Sequence, residues 1–536
     1  MIDRKSAISK VLFAAIVVVV VLGGIRLFSG IMSKGPVFDE QYILIPIQNL
    51  IEQGWSVETA IDFEETKGPA MIWPYAFFGK IFGGSLQDLR LVSIWSSIFG
   101  VMVLSWISLR CSVAKSISLI ALGWLLLPYN IVFSEIVMGE VSFLLLSLLA
   151  VAAFVWGIEE GAPRSRRYLA PMLYCVAIAL ALHSRIHVVA LTGGVCFTAF
   201  MLQGKQSWPW WVASIIAGLL RIPLWMRWGG LVSPEYQALH GLGFRLESLS
   251  YLAAAMVPFV GVFAVEGWRV ATSKIYIVSA FVGGALLVFI ATPDLSIPEA
   301  IDFVSANDRY QGIAATVSLK FHSLQTVVLA LLAGVGLAGL VGLWHCREKA
   351  PIICSITFWS LLLGWLLYSL TRGFVFDRFL LTWSFLLPIL WVRVLPKWLL
   401  SIQYVALAFI AVWLIATWLT YGAIAGGVLF LLAIGIALEI LMMVGLWKVA
   451  SKAGIFGLWA IIPIVQLFTL ARIAGKPIWW GLLCFVPLVN IVIIIIFYIE
   501  ISKKFGRGVG TTLGLVFLPF IFWPILGLGS SEYNAN

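Results

Sequence analysis

Two carboxylates stand side by side at Asp39-Glu40, where the polar stretch Ser33–Arg90 follows the first apolar run. Neighbours on a helix point about 100° apart, so one of them can aim into a cavity while the other belongs to the helix that follows. Two readings stand. Asp is an ordinary helix N-cap residue. A carboxylate at a membrane–water boundary can also take the proton of a hydroxyl or amine acceptor, and a divalent cation can bridge it to a phosphate. Glu135 and Glu140 form a second acidic pair, separated only by Ile136–Gly139 between two apolar runs. Acids this close to apolar helices need solvent, a cation or a partner. They are read either as solvated helix ends or as a second carboxylate sharing a site with Asp39, and Asp39 with Glu140 is the candidate metal pair.

Four arginines, Arg185, Arg221, Arg372 and Arg378, fall in or near segments assigned below to the outer side, against the usual bias of positive residues. Each needs a local partner. Arg makes bidentate contacts to phosphate, so a lipid-linked phosphate at the outer leaflet is one such partner. Snorkelling, or pairing with Asp377 or Glu247, is the other. His183 and His187 have i,i+4 spacing but no HExxH between them, and are read as interfacial packing. Glu439 lies within an apolar run and has no assigned role.

The elements that must position these residues are membrane helices. The 536 residues are 62% hydrophobic and 11% charged, and mean hydropathy is +1.03. Soluble domains carry about 25% charged residues. The apolar runs have helix length and lack the alternation of a barrel strand. The fold class is therefore an all-α polytopic membrane protein. Thirteen spans are expected before residue 420, beginning with Val11–Phe28, an uncleaved anchor whose N-terminus is cytoplasmic. Span two is Leu91–Leu109, span three Ser116–Phe133, span four Val141–Trp156, span seven Trp208–Met226, span eight Leu249–Gly267 and span thirteen Ser401–Trp418.

Loops at Arg110, Arg164, Gln203, Arg269, His345 and Arg393 are short and basic, hence cytoplasmic. Loops at Ser33, Ser134, His183, Gly229, Thr292 and Thr371 are richer in acids, hence outside. The candidate acids thus share one side. Within Ser33–Arg90, Ile43, Ile47, Leu50, Ile51 and Gly54 form one face of an interface-lying helix that Pro46 starts or kinks. A second such helix begins near Pro69. The net charge of +10 is read as membrane topology, because no basic stripe with interleaved aromatics suggests nucleic acid. The six cysteines form no CxxC and are read as apolar fillers.

After about Ala423 the apolar runs become glycine-punctuated: Val428–Leu446, Ile455–Leu470, Ile478–Tyr498 and Leu513–Leu528. Residues 1–420 and 421–536 are therefore taken as two domains, the second a small multi-span membrane module. Ile455–Leu470 either spans or lies flat, since Arg472 and Lys476 fall outside if it spans.

Several landmarks resemble, in order, the glycosyltransferase C superfamily, in particular its protein O-mannosyltransferases and aminoarabinose transferases. Asp39-Glu40-Gln41-Tyr42 matches the acidic pair that opens the first outer loop. Lys67-Gly68-Pro69 matches a basic-x-Pro segment entering the second juxtamembrane helix. Arg90-Leu91-Val92-Ser93 and the Ser134–Glu140 junction follow. Asp377-Arg378-Phe379-Leu380-Leu381, with Pro388, matches a late Arg-Tyr-Leu-Leu-Pro stretch. The resemblance covers about residues 1–400. Phe379 departs from it, standing where the family has Tyr, and the chain after it carries no large soluble domain. The tail, about 428–533, resembles an uncharacterised bacterial membrane-domain family through Ile473-Ala474-Gly475-Lys476-Pro477, Trp479-Trp480, Pro487-Leu488-Val489-Asn490 and Phe505-Gly506-Arg507-Gly508.

What the resemblance implies is a helical bundle with juxtamembrane helices in the first outer loop, in a bacterial inner membrane, its active site facing the periplasm. It implies inverting transfer from a polyprenyl-phosphate-linked sugar to a glycan, lipid or protein acceptor. Asp39 would be the base or metal-linked carboxylate, with Glu40 second. Arg378, with Arg185, Arg221 and Lys67, would hold the lipid phosphate, and a divalent metal ion is a possible cofactor. Two other readings compete: a transporter or lipid flippase, which needs helix breaks or charges deep in the bundle, and a non-catalytic membrane scaffold.

Overall fold

The structure, a computed structural model, describes most of residues 11–26, 35–111, 117–234, 242–295, 310–394 and 442–534. Outside the described residues lie Arg372, Glu439, Glu64, Glu65, Glu235, His240, Asp294, Glu299, Asp302 and Asp308, together with span thirteen and residues 428–441. The described residues belong to two compact units, one within Met1–Val394 and the other within Gly426–Asn536.

The larger unit is a helical bundle. Among the described residues of the chain, six helices are long and apolar enough to cross a membrane, or seven if a bent pair counts as one span. They are Leu86–Arg110, Glu140–Gly157, Arg164–Ser184, the continuous stretch Ile186–Trp228, Gln325–Lys349 and Pro351–Tyr368, with Leu246–Ala255 and Val257–Val270 as the bent pair. The chain is thus a multi-pass membrane protein. Leu86–Arg110 packs on Glu140–Gly157, which packs on Arg164–Ser184, while Val189–Gln203 packs on Pro351–Tyr368. Gln325–His345 lies against Val257–Val270 and Ile275–Ile290. Its glycines make that approach possible. A Cβ on Gly336, Gly339 or Gly342 would come within 1.8, 2.4 or 1.9 Å of the carbonyl oxygens of Ala253, Val260 and Phe263. Small residues at such crossings let backbones meet where lipid supplies no hydrophobic drive between helices.

Three expected spans are broken. Span three divides into Ile117–Leu126 and Asn130–Phe133, with Tyr129 at φ 71° between them. Span seven breaks at Arg221, before Pro223, and span eight bends by 71° at Met256, before Pro258. A proline has no N–H for the helix ladder and crowds the preceding turn, so a break just before it is expected.

In the polar segment before Leu86–Arg110, the helix Glu40–Gln53 buries Ile43, Ile47 and Leu50, as the pattern predicts. Pro46 lies inside this helix and does not start it. A 3-10 turn at Pro69–Met71 leads into the second helix, Trp73–Phe82. One ion pair fastens this loop to the bundle. Arg90, on the long helix Leu86–Arg110, donates through Nε to Glu40 Oε1 at 3.0 Å and through Nη2 to Glu40 Oε2 at 2.6 Å. Both side chains are completely buried. Glu40 also accepts the backbone N–H of Val37 at 2.8 Å and of Val137 at 2.7 Å, and Arg90 Nη2 donates to the Gly35 carbonyl at 2.9 Å. Three segments distant in sequence therefore meet on one carboxylate.

The smaller unit encloses Phe497, Ile501, Phe505, Trp523 and Leu526. Its helix Pro463–Ile473 has 11 residues, about 16 Å, against a hydrocarbon core of about 30 Å. Within and beyond Ile478–Tyr498 the described helices are Trp480–Leu483 and Val489–Lys504.

Breaking a buried pair from one side leaves an uncompensated charge, which costs about 3–5 kcal/mol. Arg90→Met should therefore lower the unfolding temperature of the detergent-purified protein sharply, and Glu40→Leu in the same chain should restore part of the loss. An unchanged melting temperature for Arg90→Met would show that the pair does not fasten the loop.

Candidate functional site

The residue before Glu40 has a different environment. Asp39 is the N-cap residue of Glu40–Gln53, yet its side chain makes no capping hydrogen bond. Its carboxylate is 26% exposed and meets Lys67 Nζ at 3.1 Å and Arg378 Nη2 at 3.6 Å. Burial would raise its pKa. Lys67 and Arg378, with Arg185 beyond them, outweigh burial and hold the carboxyl well below the usual range, so it is ionised.

Each cation is delivered by a different element. Lys67 is buried, and its position follows from the next residue. The Gly68 N–H donates to the Ser184 carbonyl at 2.9 Å, and a Cβ on Gly68 would lie 1.8 Å from the His183 carbonyl oxygen. Only glycine lets the loop sit that close to the end of Arg164–Ser184. Arg185 follows immediately as the C-cap residue, in extended conformation. Its guanidinium donates to Glu140 Oε1, and Glu140 is the first residue of Glu140–Gly157. Glu140 Oε2 is buried and has no hydrogen-bond partner among the described residues.

Arg378 is set by its neighbour Asp377. The Asp377 carboxylate is fully buried and accepts Tyr251 OH at 2.6 Å and the Ala314 N–H at 3.1 Å. Burial pushes its pKa up to about 6, against the hydrogen bonds from Tyr251, Ala314, Ile313 and Tyr129. A short parallel pairing of Tyr310–Gln311 with Val375–Phe376 holds the same junction. Behind Arg378, Phe379 and His187 stack with centroids 4.9 Å apart, and Tyr368 lies 5.3 Å from the His187 ring. Trp383 donates to the His187 carbonyl at 2.8 Å. His187 thus packs in an aromatic group. His183 bonds the Ala179 carbonyl through Nδ1 at 2.8 Å.

The predicted site residues therefore divide. Asp39, Lys67, Arg185, Arg378 and Glu140 form one linked cluster. Glu40 does not join it, because its carboxylate is wholly engaged by Arg90, Val37 and Val137. The expectation that Glu40 seconds Asp39 thus meets a carboxylate already held by Arg90 and two backbone N–H groups. Arg221 is buried and donates to the Leu182 carbonyl on the last turn before Arg185, without contact to Asp39 among its recorded partners. Glu135 is buried with neither oxygen hydrogen-bonded among the described residues. Desolvation raises its pKa to about 8, opposed by the charges of Arg26 and Arg90, so it lies toward Glu40's partner and not toward Asp39.

Among the described residues no group of three or more His, Cys, Asp or Glu is placed to hold a metal ion. Asp39 and Glu140 do not fit one as a pair. Lys67, Arg378 and Arg185 already meet their charges, and a divalent cation would add to three positive side chains. What the cluster suits is an anion. Three cations converge beside an ionised, partly exposed carboxylate, and guanidinium forks match phosphate geometry. Tyr251, Gly68 and Asp377 carry the placement of this site; Gly68 and Asp377 stand in the landmark segments of the sequence, whereas spacing does not reveal Tyr251, which acts through a contact 126 positions away.

A family of unknown function, DUF5684, matches residues 458–536, overlapping the tail set apart above. No curated protein matches the chain. Two solved structures are similar to it, both of ArnT from Cupriavidus metallidurans. The apo form is 12% identical with a TM-score of 0.36, covering 95% of this chain and 76% of that one. The form bound to undecaprenyl phosphate is 13% identical with a TM-score of 0.38, covering 96% and 76%.

Proposed function

We propose that the larger unit is a membrane glycosyltransferase that takes a sugar from a polyprenyl-phosphate-linked donor at the outer, periplasmic face of a bacterial inner membrane. The observation that carries this reading is the Asp39 cluster: one ionised, partly exposed carboxylate with Lys67, Arg185 and Arg378 around it. The landmarks of residues 1–400 that resemble the glycosyltransferase C superfamily agree with it.

In this reading the donor's phosphate binds among the three cations. An acceptor hydroxyl or amine attacks the anomeric carbon from the opposite face and gives its proton to Asp39. The new bond to the anomeric carbon forms as the bond from that carbon to the phosphate oxygen breaks, which inverts the configuration. The polyprenyl phosphate leaves with one more negative charge, and the cations stabilise that charge where it develops. At rest Asp39 is a weak base, because Lys67 and Arg378 hold it ionised. A donor phosphate draws those cations to itself and raises the basicity of Asp39 as the substrate arrives. The Glu140–Arg185 pair positions the third cation, and Asp377 positions Arg378. No step needs a metal ion.

One observation favours a second reading, a transporter or flippase. The 71° bend between Leu246–Ala255 and Val257–Val270 is a broken span of the kind transporters use at a binding site. The polar cluster lies on other elements, so the transferase reading is preferred.

Asp39→Asn should lower sugar transfer from a polyprenyl-phosphate donor in membranes by about 10²-fold or more, the range of a lost general base, with folding intact by size-exclusion profile. Wild-type turnover by this variant would remove Asp39 from the chemistry, and donor movement across liposomes without a new glycosidic bond would favour the transporter. Arg378→Lys keeps the charge but loses the fork, and should weaken donor binding more than turnover at saturation.

Glu135 has no part in this mechanism and supplies a pH test. Its raised pKa means the folded protein prefers the neutral acid. The penalty begins above the unfolded pKa of about 4.5, grows with pH and is complete above about 8. Glu135→Gln should leave transfer unchanged and raise the melting temperature at pH 8, with the gain vanishing toward pH 5. A gain that grows as pH falls would contradict this environment for Glu135.

A further inference from the structure

The smaller unit gathers cations from separate segments at one end. Arg472 ends the helix Pro463–Ile473, Lys476 follows in the loop, Lys503 and Lys504 end Val489–Lys504, and Arg507 begins the next connection. Their proximity is direct. A Cβ on Gly475 would lie 2.8 Å from Lys504 Cε, and Lys476 and Lys503 both reach Glu500 Oε1, at 3.6 and 3.7 Å. Arg472, Lys503 and Arg507 are exposed. The two helices therefore present their C-terminal ends on the same side, which places Arg472 and Lys476 with Lys503 and not on the opposite face.

The chain's last described residues are strapped across this end. Lys452 Nζ donates to the carbonyls of Leu526, Gly529 and Ser531 at 2.9, 2.6 and 2.9 Å. Arg507 Nη2 donates to Ser531 Oγ at 2.8 Å, Tyr533 OH to the Ile473 carbonyl at 2.9 Å, and the Asn534 N–H to the Lys504 carbonyl at 2.8 Å. The end is thus a built surface, with Glu500 and Glu532 as its acids against six cations. Its border is aromatic and apolar: Ile478 and Trp479 are more than half exposed, and Lys476 lies over the Trp480 ring at 5.7 Å.

We infer that this end is a docking surface for anionic phospholipid headgroups. A rim of Lys and Arg beside exposed tryptophans is the composition of a membrane–water interface, and anionic lipid on the cytoplasmic leaflet attracts basic residues there. The exposed side chains Ile478 and Trp479 fit the acyl boundary just beneath the headgroups. Neither an acidic protein nor a nucleic acid would call for that apolar border. The inference is independent of the transferase reading, since it uses no residue of the larger unit.

The test is native mass spectrometry of the full-length protein in neutral detergent, titrated with phosphatidylglycerol or phosphatidylcholine. The wild type should bind phosphatidylglycerol about tenfold more tightly, and raised salt should weaken that preference. Arg472→Gln with Lys476→Gln and Lys503→Gln should lose about tenfold of the phosphatidylglycerol affinity and keep that for phosphatidylcholine. The charge-retaining set Arg472→Lys, Lys476→Arg and Lys503→Arg should behave as wild type, which separates lost charge from lost folding. Equal phosphatidylglycerol affinity in the neutralised variant would overturn the proposal, as would a wild type without preference between the lipids. Displacement of the lipid by a short single-stranded DNA at lower concentration than phosphatidylglycerol would overturn it in favour of a nucleic-acid site.

Discussion

The Glu40–Arg90 pair is the constraint on which the Asp39 end of the larger unit depends. A carboxylate and a guanidinium with no solvent contact are tolerated only when their hydrogen-bonding capacity is met, and here the backbone of Gly35, Val37 and Val137 completes it. The geometry ties the start of the helix Glu40–Gln53, the helix Leu86–Arg110 and the junction ahead of Glu140–Gly157 to one point. Asp39 precedes Glu40 in the chain and Glu140 follows the Val137 junction, so two members of the cluster are referred to that point.

The division of labour between Asp39 and Glu40 follows from helix geometry. Adjacent side chains at a helix start diverge by about 100°. If one is committed to a buried arginine, its neighbour is carried toward another surface. Asp39 therefore reaches Lys67 and Arg378 without any cap bond to its own helix. The cations around it are placed by groups that never touch it. Glu140 holds Arg185, the Asp377 node precedes Arg378, and the contact of Gly68 with the end of Arg164–Ser184 delivers Lys67. An anion site of this kind is sensitive to substitutions well outside its first contacts, because the placement energy resides in those supports.

The smaller unit solves a different problem. Among its described residues no helix is long enough to cross a membrane singly, and its cations come from helix ends that the fold brings together. Hydropathy leaves Ile455–Leu470 undecided between spanning and lying flat, since a window average carries no information about where a helix stops. The helix Pro463–Ile473 carries Arg472 in its last turn, at the basic end where Lys476 and Lys503 meet Glu500.

Much was determined by sequence alone. Composition and run length specify a helical membrane protein, because apolar side chains at that density have no other solvent. Apolar spacing predicts the buried face of Glu40–Gln53, and the order of charged landmarks brings Asp39, Lys67, Arg185 and Arg378 into consideration. Tertiary structure alone decided which candidates meet. Glu40 and Glu135 are the same residue types as Asp39 and Glu140, at similar distances from apolar runs. Their roles differ because of partners 50 to 100 positions away: Arg90 and Val137 for Glu40, and a dry pocket for Glu135. Burial and ion pairing are properties of the packed neighbourhood, and no local spacing encodes them. The breaks at Tyr129 and Met256 were likewise invisible to hydropathy, which averages over a bend as readily as over a straight helix, while Pro223 already marked the one at Arg221.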